Sequence, residues 1–99
     1  MAVTVLVELQ AVPETRDELV SILLADVLPG IREKEGCERI DLLIDHADPH
    51  RLIVAQHWEK REQHEAYMAW RDETGTGTTG RLAPMLVGGR QVRYFDMQS

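Results

Sequence analysis

The sequence predicts an α+β domain of the ferredoxin-like class, a βαββαβ chain with a four-stranded antiparallel sheet and its helices on one face. Alternating apolar and polar residues indicate four strands, and two longer segments carry apolar residues at helical spacing. The two middle strands are separated only by a turn at Asp48-Pro49, which favours a hairpin. A chain of 99 residues suits one domain, so we expect residues 1–99 to form a single unit.

The first strand and the first helix have clear boundaries in the sequence. Residues 3–10 alternate valine and leucine with mostly polar residues, as a half-buried strand does. Thr15 and Glu18 have the spacing of a capping box, which predicts a helix start. Pro29 predicts a kink or a restart, and Gly36 the end of the helix. The apolar face of this helix is expected to hold Leu19, Val20, Leu23, Leu24, Val27 and Ile31.

The second half of the chain repeats the pattern. Residues 37–46 and 51–59 predict the second and third strands, and a helix is expected from about residue 61 to 73. A loop over residues 74–80 and a short segment, 82–85, lead to a last strand at 90–97.

One face of the predicted sheet carries no helix. Its composition is too apolar for a purely solvated surface and too charged for a dry core. A second copy of the chain would cover such a face, so we expect a homodimer. The residues expected on this face are Leu6, Glu8, Asp41, Leu43, Ala55, His57, Arg93 and Phe95.

Composition excludes several classes of function. A net charge of −6 and a pI near 5.1 argue against nucleic acid as a partner. No apolar run approaches the roughly 20 residues that span a bilayer, and no signal peptide is apparent. Cys37 is the single cysteine, which fits a reducing compartment, and we expect a cytoplasmic protein.

Two motifs suggest a cofactor or a metal, but an exposed loop or turn is the better interpretation of each. Residues 75–80 spell G-x-G-x-x-G, but they follow a helix, whereas a dinucleotide fingerprint lies between a strand and a helix. A mobile flap over a pocket suits this loop better. Asp45, His46, Asp48 and His50 could be drawn as a metal site, although a solvated hairpin tip is the commoner arrangement. We therefore predict neither a bound cofactor nor a bound metal.

Residues 51–70 form the most informative segment, because they combine both tryptophans, one tyrosine and two histidines in one strand-helix unit. Such a concentration is typical of a pocket for a flat organic molecule, although core packing accounts for aromatic residues equally well. If the face of the third strand that carries Gln56 meets the helices, an apolar pocket with a few polar groups results. We expect its lining to include Gln56, Trp58, Tyr67, Trp70 and Met85. His57 would point to the opposite face.

The chain resembles the antibiotic biosynthesis monooxygenase domain over roughly residues 3–97. The resemblance rests on Val12-Pro13, Glu35-Gly36-Cys37, Asp48-Pro49 and Trp58-Glu59 ahead of Glu62. It implies a dimeric α+β barrel in which two sheets pack face to face. Characterised members include oxygenases that act on phenols or quinols without metal or flavin, enzymes that degrade haem, and proteins that process signalling molecules. A histidine frequent in such proteins, nine residues after the tryptophan, is here Tyr67.

The resemblance implies a small cofactor-independent monooxygenase for a phenolic or quinol-like compound, with O₂ as co-substrate. Tyr67 and Trp70 would hold the ring, and His64 or His57 would take the proton. The candidate catalytic residues are therefore His57, His64 and Tyr67, and the candidate substrate-binding residues are Gln56, Trp58, Trp70 and Met85. The alternative is a module that binds a small aromatic or signalling metabolite without chemistry. Haem degradation ranks last.

Overall fold

The computed structural model describes residues 2–98, and its architecture confirms the predicted fold class. The sheet comprises β1 (Val3–Gln10), β2 (Cys37–Ile44), β3 (Arg51–Trp58) and β4 (Gln91–Asp96). The helices are α1 (Arg16–Ile22), α2 (Leu28–Arg32) and α3 (Arg61–Thr74), and a five-residue π turn, Leu23–Val27, joins α1 to α2. The strand order is β2-β3-β1-β4, with every neighbouring pair antiparallel. Within residues 2–98, no helix has the length and apolar character that crossing a membrane requires.

The core lies between the helices and one face of the sheet. Alternation along β1 places Val5 in full burial and Leu9 almost so, while Thr4 and Glu8 point to the other face. β3 obeys the same rule, because Leu52, Val54, Gln56 and Trp58 are all buried. The side of β1 and β3 that faces the helices therefore forms the floor on which the helices pack.

The first helix departs from a regular α-helix. The π turn inserts one extra residue, so that Leu28 is buried beyond Leu23. Leu24 was expected on the apolar face, and this prediction was wrong, because Leu24 is 53% exposed. Pro29 lies in the first turn of α2, where its missing N–H is tolerated, and the backbone stays helical from the π turn into α2.

The ends of this helix differ from the prediction. Thr15 forms no capping box; its hydroxyl instead donates to the carbonyl of Val12 within the 3-10 turn Pro13–Thr15. The helix ends at Arg32, before Gly36. Gly36 has a φ of 95°, which favours glycine, and a Cβ there would overlap the Gln63 amide. It therefore shapes the turn into β2 and does not end the helix.

A side chain fixes the start of α3, and a glycine fixes its end. The Gln63 Oε1 accepts a hydrogen bond from the backbone N–H of Lys60 at 3.0 Å, which satisfies one donor at the helix start. Gly75 ends the helix with a φ of 69°, and its N–H donates back to the last turn. The helix is thereby held across β3 with His64 and Tyr67 facing the core.

The opposite face of the sheet carries the eight residues predicted for it. Cross-strand pairing aligns Asp41, Ala55, Leu6 and Arg93 in one row. Leu43 and Phe95 are 47% and 39% exposed there. An ion pair of 2.7 Å joins Arg39 and Asp41 on the same face.

Candidate functional site

A narrow cleft opens between the sheet floor, the helices and the loop after α3. Its cavity volume is about 50 Å³, and its mouth is open to solvent. Apolar side chains dominate the lining, as is typical of a small-molecule site. The lining residues are Val7, Leu9, Leu23, Val27, Ile31, Val54, Gln56, Tyr67, Met68, Arg71, Thr76, Gly77, Thr78, Leu82 and Arg90.

Tyr67 and Arg71 form the polar centre of the cleft. They are one helical turn apart on α3, and the Arg71 Nε donates to the Tyr67 hydroxyl at 2.7 Å. The Arg71 Nη1 donates to the Thr76 hydroxyl at 3.2 Å. Burial raises the pKa of Tyr67, while the neighbouring guanidinium opposes that rise. Tyr67 thus remains protonated at neutral pH, and since its oxygen already accepts from Arg71, its own proton is free to donate.

Arg71 and Arg90 line the same cleft, but only Arg90 forms an ion pair with a carboxylate among residues 2–98. Asp72 accepts two hydrogen bonds of 2.9 Å from Arg90, and these, together with one from Thr79, lower the Asp72 pKa to about 2. No carboxylate within residues 2–98 forms an ion pair with Arg71. The half-buried Arg71 is therefore the uncompensated positive charge of the cleft.

The glycine- and threonine-rich loop forms the rim of the cleft. Arg90 holds it by donating to the Thr78 hydroxyl at 2.7 Å. Gly77 packs directly on Arg71, because a Cβ at this position would lie 3.0 Å from the Arg71 Cβ. The loop leads into the 3-10 turn Ala83–Met85 and not into an α-helix. It therefore lacks the helix N-terminus that a dinucleotide fingerprint requires.

Gln56 is the polar residue of the cleft floor, and Trp58 fixes its orientation. Gln56 is only 2% exposed, and its Oε1 accepts a hydrogen bond of 2.8 Å from the Trp58 Nε1. Trp58 is fully buried, with its ring against His64 and Tyr67 at centroid distances of 5.7 and 6.2 Å. Trp58 thus supports the floor from behind and does not line the cleft.

His64 is sealed inside the protein. Its Nδ1 is 2.8 Å from the Tyr94 hydroxyl, and its Nε2 is buried without a hydrogen-bond partner among residues 2–98. Burial, with a smaller contribution from the positive charge of Arg90, lowers the pKa of His64 to about 4. The imidazole is therefore neutral at pH 7, and one hydrogen bond joins its Nδ1 to the Tyr94 hydroxyl.

The structure separates the other predicted site residues. His57 lies on the open face, where its Nδ1 is 3.2 Å from the Thr4 hydroxyl. Trp70 is 44% exposed and borders a second, shallow depression with Lys34, whose Nζ lies 4.5 Å from the centre of the Trp70 ring. Tyr67 and Trp58 line that depression too. Met85 packs against the core and is not part of the cleft lining.

The carboxylates of the β2–β3 hairpin accept hydrogen bonds from the turn backbone and from Gln10. Asp48 accepts hydrogen bonds from the backbone N–H of His50 at 3.0 Å and from the Gln10 side chain at 3.2 Å. Asp45 accepts from the backbone of Ala47. Among residues 2–98, no group of three His, Cys, Asp or Glu side chains could hold a metal ion.

Neither Arg71 nor Arg90 was among the predicted catalytic or substrate-binding residues. A signal existed for Arg71, because it follows Tyr67 by four residues on a helix and must lie beside it. Nothing in the sequence pointed to Arg90, which immediately precedes β4 and reaches the cleft because β4 pairs with β1.

The chain was compared with family models, curated proteins and solved structures. The model of the family "Antibiotic biosynthesis monooxygenase" matches residues 2–73. No curated protein matches the chain.

Solved structures show the same fold at low identity. A conserved protein from Methanosarcina mazei Go1 superposes with a TM-score of 0.81 at 15% identity, covering 99% of this chain and 94% of that one. Rv0793 from Mycobacterium tuberculosis superposes with a TM-score of 0.75 at 18% identity, covering 100% of this chain and 97% of that one. An antibiotic biosynthesis monooxygenase superposes with a TM-score of 0.75 at 21% identity, covering 98% of this chain and 99% of that one. The family match spans well over half of the chain and confirms the resemblance found in the sequence. The chain therefore belongs to the antibiotic biosynthesis monooxygenase family.

Proposed function

We propose that the protein is a small monooxygenase that oxidises a phenolic or quinol-like compound with O₂ in the cleft beside Tyr67 and Arg71. Family membership supports the reaction type. The observation that carries the substrate class is the uncompensated guanidinium of Arg71 at the edge of an apolar cleft. A phenolate combines the flat apolar ring and the single negative charge that such a site accommodates.

The cleft promotes the reaction by favouring the deprotonated substrate. A phenol ordinarily ionises near pH 10, so little phenolate exists at neutral pH. Arg71 stabilises the anion, and the Tyr67 hydroxyl donates a hydrogen bond to the same oxygen. The negative charge delocalises onto ring carbon, which is the atom that reacts with O₂. The apolar lining keeps water away from that carbon.

The overall reaction is balanced without an added reductant. A phenol and one O₂ give a quinone and one water. One oxygen atom enters the ring as the new carbonyl, and the other leaves as water with two hydrogens from the substrate. The substrate itself supplies all four electrons.

Oxygen uptake with a panel of naphthols and hydroquinones tests this proposal. With ¹⁸O₂, one labelled oxygen should appear in the quinone. Arg71→Gln should lower kcat/KM by about tenfold or more, since a charge-assisted hydrogen bond contributes about 1.5–3 kcal/mol. Arg32→Gln is the matched control, because Arg32 is exposed on α2 and outside the cleft. Equal losses in both variants, or no uptake with any phenol, would refute the proposal.

The acceptor of the phenol proton is tested separately. His64 and His57 were the predicted candidates, and neither lines the cleft. We propose that the proton leaves to solvent at the cleft mouth and that Arg71 makes this favourable. His57→Gln should then retain activity. A large loss in His57→Gln would move proton transfer to the open face of the sheet.

One observation favours the alternative, a binding module without chemistry. The side chains that line the cleft include donors such as Gln56, Tyr67 and Arg71 but no histidine or carboxylate. Such a site retains an aromatic anion without a built-in base. Calorimetry that detects phenol binding, together with an oxygen electrode that detects no consumption, would establish the alternative.

We further propose that the protein acts in the cytoplasm as a homodimer, with the open faces of two sheets packed together as in an α+β barrel. The mixed surface that includes Leu6, Ile53 and Phe95 supports this assembly. Sedimentation at micromolar concentration should give about twice the chain mass, and Ile53→Lys should give a monomer. A wild-type monomer would refute the barrel.

A further inference from the structure

The cavity inside the cleft is too small for an aromatic ring. Its volume is about 50 Å³, and Tyr67 and Arg71 are among its lining residues. An engineered protein cavity that takes up benzene measures roughly 150 Å³. A ring therefore enters only after one wall of the cleft has moved, and the three walls differ in what holds them.

Two of the walls belong to the packed core. The floor is formed by β1 and β3, whose residues pair along the full length of both strands. The helix wall includes Leu23 and Ile31, which are both almost completely buried. Either wall moves only if strand pairing or core packing is lost, which costs far more than the rearrangement of a surface loop.

The third wall is the loop of residues 75–80. Thr76, Gly77 and Thr78 contribute it to the cleft lining. The whole loop consists of glycine and threonine, so it has no apolar side chain to anchor it in the core. Side-chain hydrogen bonds hold it instead, and the loop is therefore the wall that opens at the lowest cost.

One ion pair holds this loop at two successive residues. Arg90 donates to both carboxylate oxygens of Asp72 at 2.9 Å and to the Thr78 hydroxyl at 2.7 Å. The Thr79 hydroxyl donates to the same carboxylate at 2.7 Å. Asp72 lies on α3 and Arg90 directly before β4, so the pair joins the loop to two fixed elements. Because these hydrogen bonds lower the Asp72 pKa to about 2, the carboxylate keeps its charge at neutral pH.

We infer that residues 75–80 form a lid over the cleft and that Asp72 is the positioning residue that holds this lid closed. Asp72 does not line the cleft, so it acts through Arg90 and the two threonines and not by contact with a ligand. When these hydrogen bonds break, residues 76–78 move away from the floor and the cavity enlarges. The inference rests on the proposed function only in taking the cleft as the place where the aromatic compound binds.

Amide hydrogen exchange of the ligand-free protein, followed residue by residue with NMR, tests the role of Asp72. The backbone N–H groups of Gly80, Arg81 and Leu82 donate to carbonyls within the loop, so their exchange reports how often the loop opens. Asp72→Asn should speed this exchange about tenfold or more, because hydrogen bonds to a charged group are lost. Equal exchange of these amides in Asp72→Asn and the wild type would overturn the inference.

Asp17→Asn is the matched control for this experiment. Asp17 forms an ion pair of 2.9 Å with Arg16, and neither residue belongs to the loop or lines the cleft. The loop amides of this variant should exchange as they do in the wild type. Exchange in β1 and β3 should be the same in all three proteins, which shows that the fold is intact.

Thr79→Val tests the lid without changing a charge. Valine keeps the size of the side chain but removes the hydroxyl that donates to Asp72, and Thr79 does not line the cleft. A lid controls passage in both directions. Stopped-flow tryptophan fluorescence with 1-naphthol should therefore show kon and koff rising together by about threefold or more, with Kd within about twofold of the wild type. Thr15→Val removes a hydroxyl hydrogen bond in the turn before α1 and should leave both rates unchanged.

The possible outcomes distinguish the lid from the proposed function. Unchanged rates in Thr79→Val would overturn the lid. A rise in koff alone would also overturn it, because the loop would then be a ligand contact and not a barrier to entry. Failure of 1-naphthol to bind the wild type would overturn the proposed function, and the exchange of Asp72→Asn would still decide whether Asp72 holds the loop closed.

Discussion

Acidification should lower the free energy of unfolding through the protonation of His64, and the effect is large enough to measure. The folded ring has a pKa of about 4 because it is buried, whereas in the unfolded chain it has the ordinary value of 6.5. Between these values the unfolded chain binds a proton that the folded protein does not, so acidification favours unfolding. The difference corresponds to about 3 kcal/mol, fully present above pH 6.5 and lost as the pH falls towards 4.

His64→Phe isolates this contribution. Phenylalanine keeps an aromatic ring against Trp58 and Tyr94 but cannot take a proton. Urea unfolding followed by tryptophan fluorescence at pH 7.5 and pH 4, at equal protein concentration, gives the free energy of unfolding for each protein. The wild type should lose about 3 kcal/mol more than the variant between these pH values. His46→Gln, at an exposed position, should behave as the wild type does. Parallel losses in wild type and His64→Phe would refute the reasoning.

Three further outcomes follow from the packing. In urea unfolding, Trp58→Ala should lower the free energy of unfolding by about 3–5 kcal/mol. Trp70→Ala should lower it by no more than about 2 kcal/mol, because Trp70 is 44% exposed. Equal losses in the two variants would contradict the difference in burial. Tyr67→Phe should melt near the wild type yet bind phenols about tenfold more weakly, since the cleft loses its hydroxyl; unchanged affinity would limit Tyr67 to the core. Gly77→Ala should weaken phenol binding, because the added Cβ displaces the Arg71 side chain. Gly89→Ala should leave binding unchanged, because a Cβ there meets open space. A larger effect of Gly89→Ala than of Gly77→Ala would exclude a role for the loop.

The sheet was predictable because its signal is local. Alternation from Val3 to Gln10 sets both the strand and the face that each side chain takes, and a one-residue slip would have exposed the whole valine row. The same rule, applied to β3, set Gln56 and Trp58 on one face and His57 on the other, and the structure shows that the first of these faces meets the helices.

The errors arise where tertiary contacts override local patterns. The burial of Leu28 depends on the π turn, which a regular helical period cannot represent. Thr15 has the sequence of a helix cap but uses its hydroxyl in the preceding turn. Arg90 enters the cleft through strand pairing and its ion pair with Asp72, which are contacts between distant segments. Sequence periodicity carries no information about such contacts.

The π turn gives the chain a way to reshape the cleft wall without altering the sheet. It acts as a one-residue insertion, which rotates every later side chain of the helix by about 100°. Two neighbouring residues therefore both face inward: Val27 lines the cleft, and Leu28 packs in the core. A deletion of one residue here would leave a single position to serve both purposes. The dimensions of the site are thus encoded in the length of this helix as well as in the residues that line it.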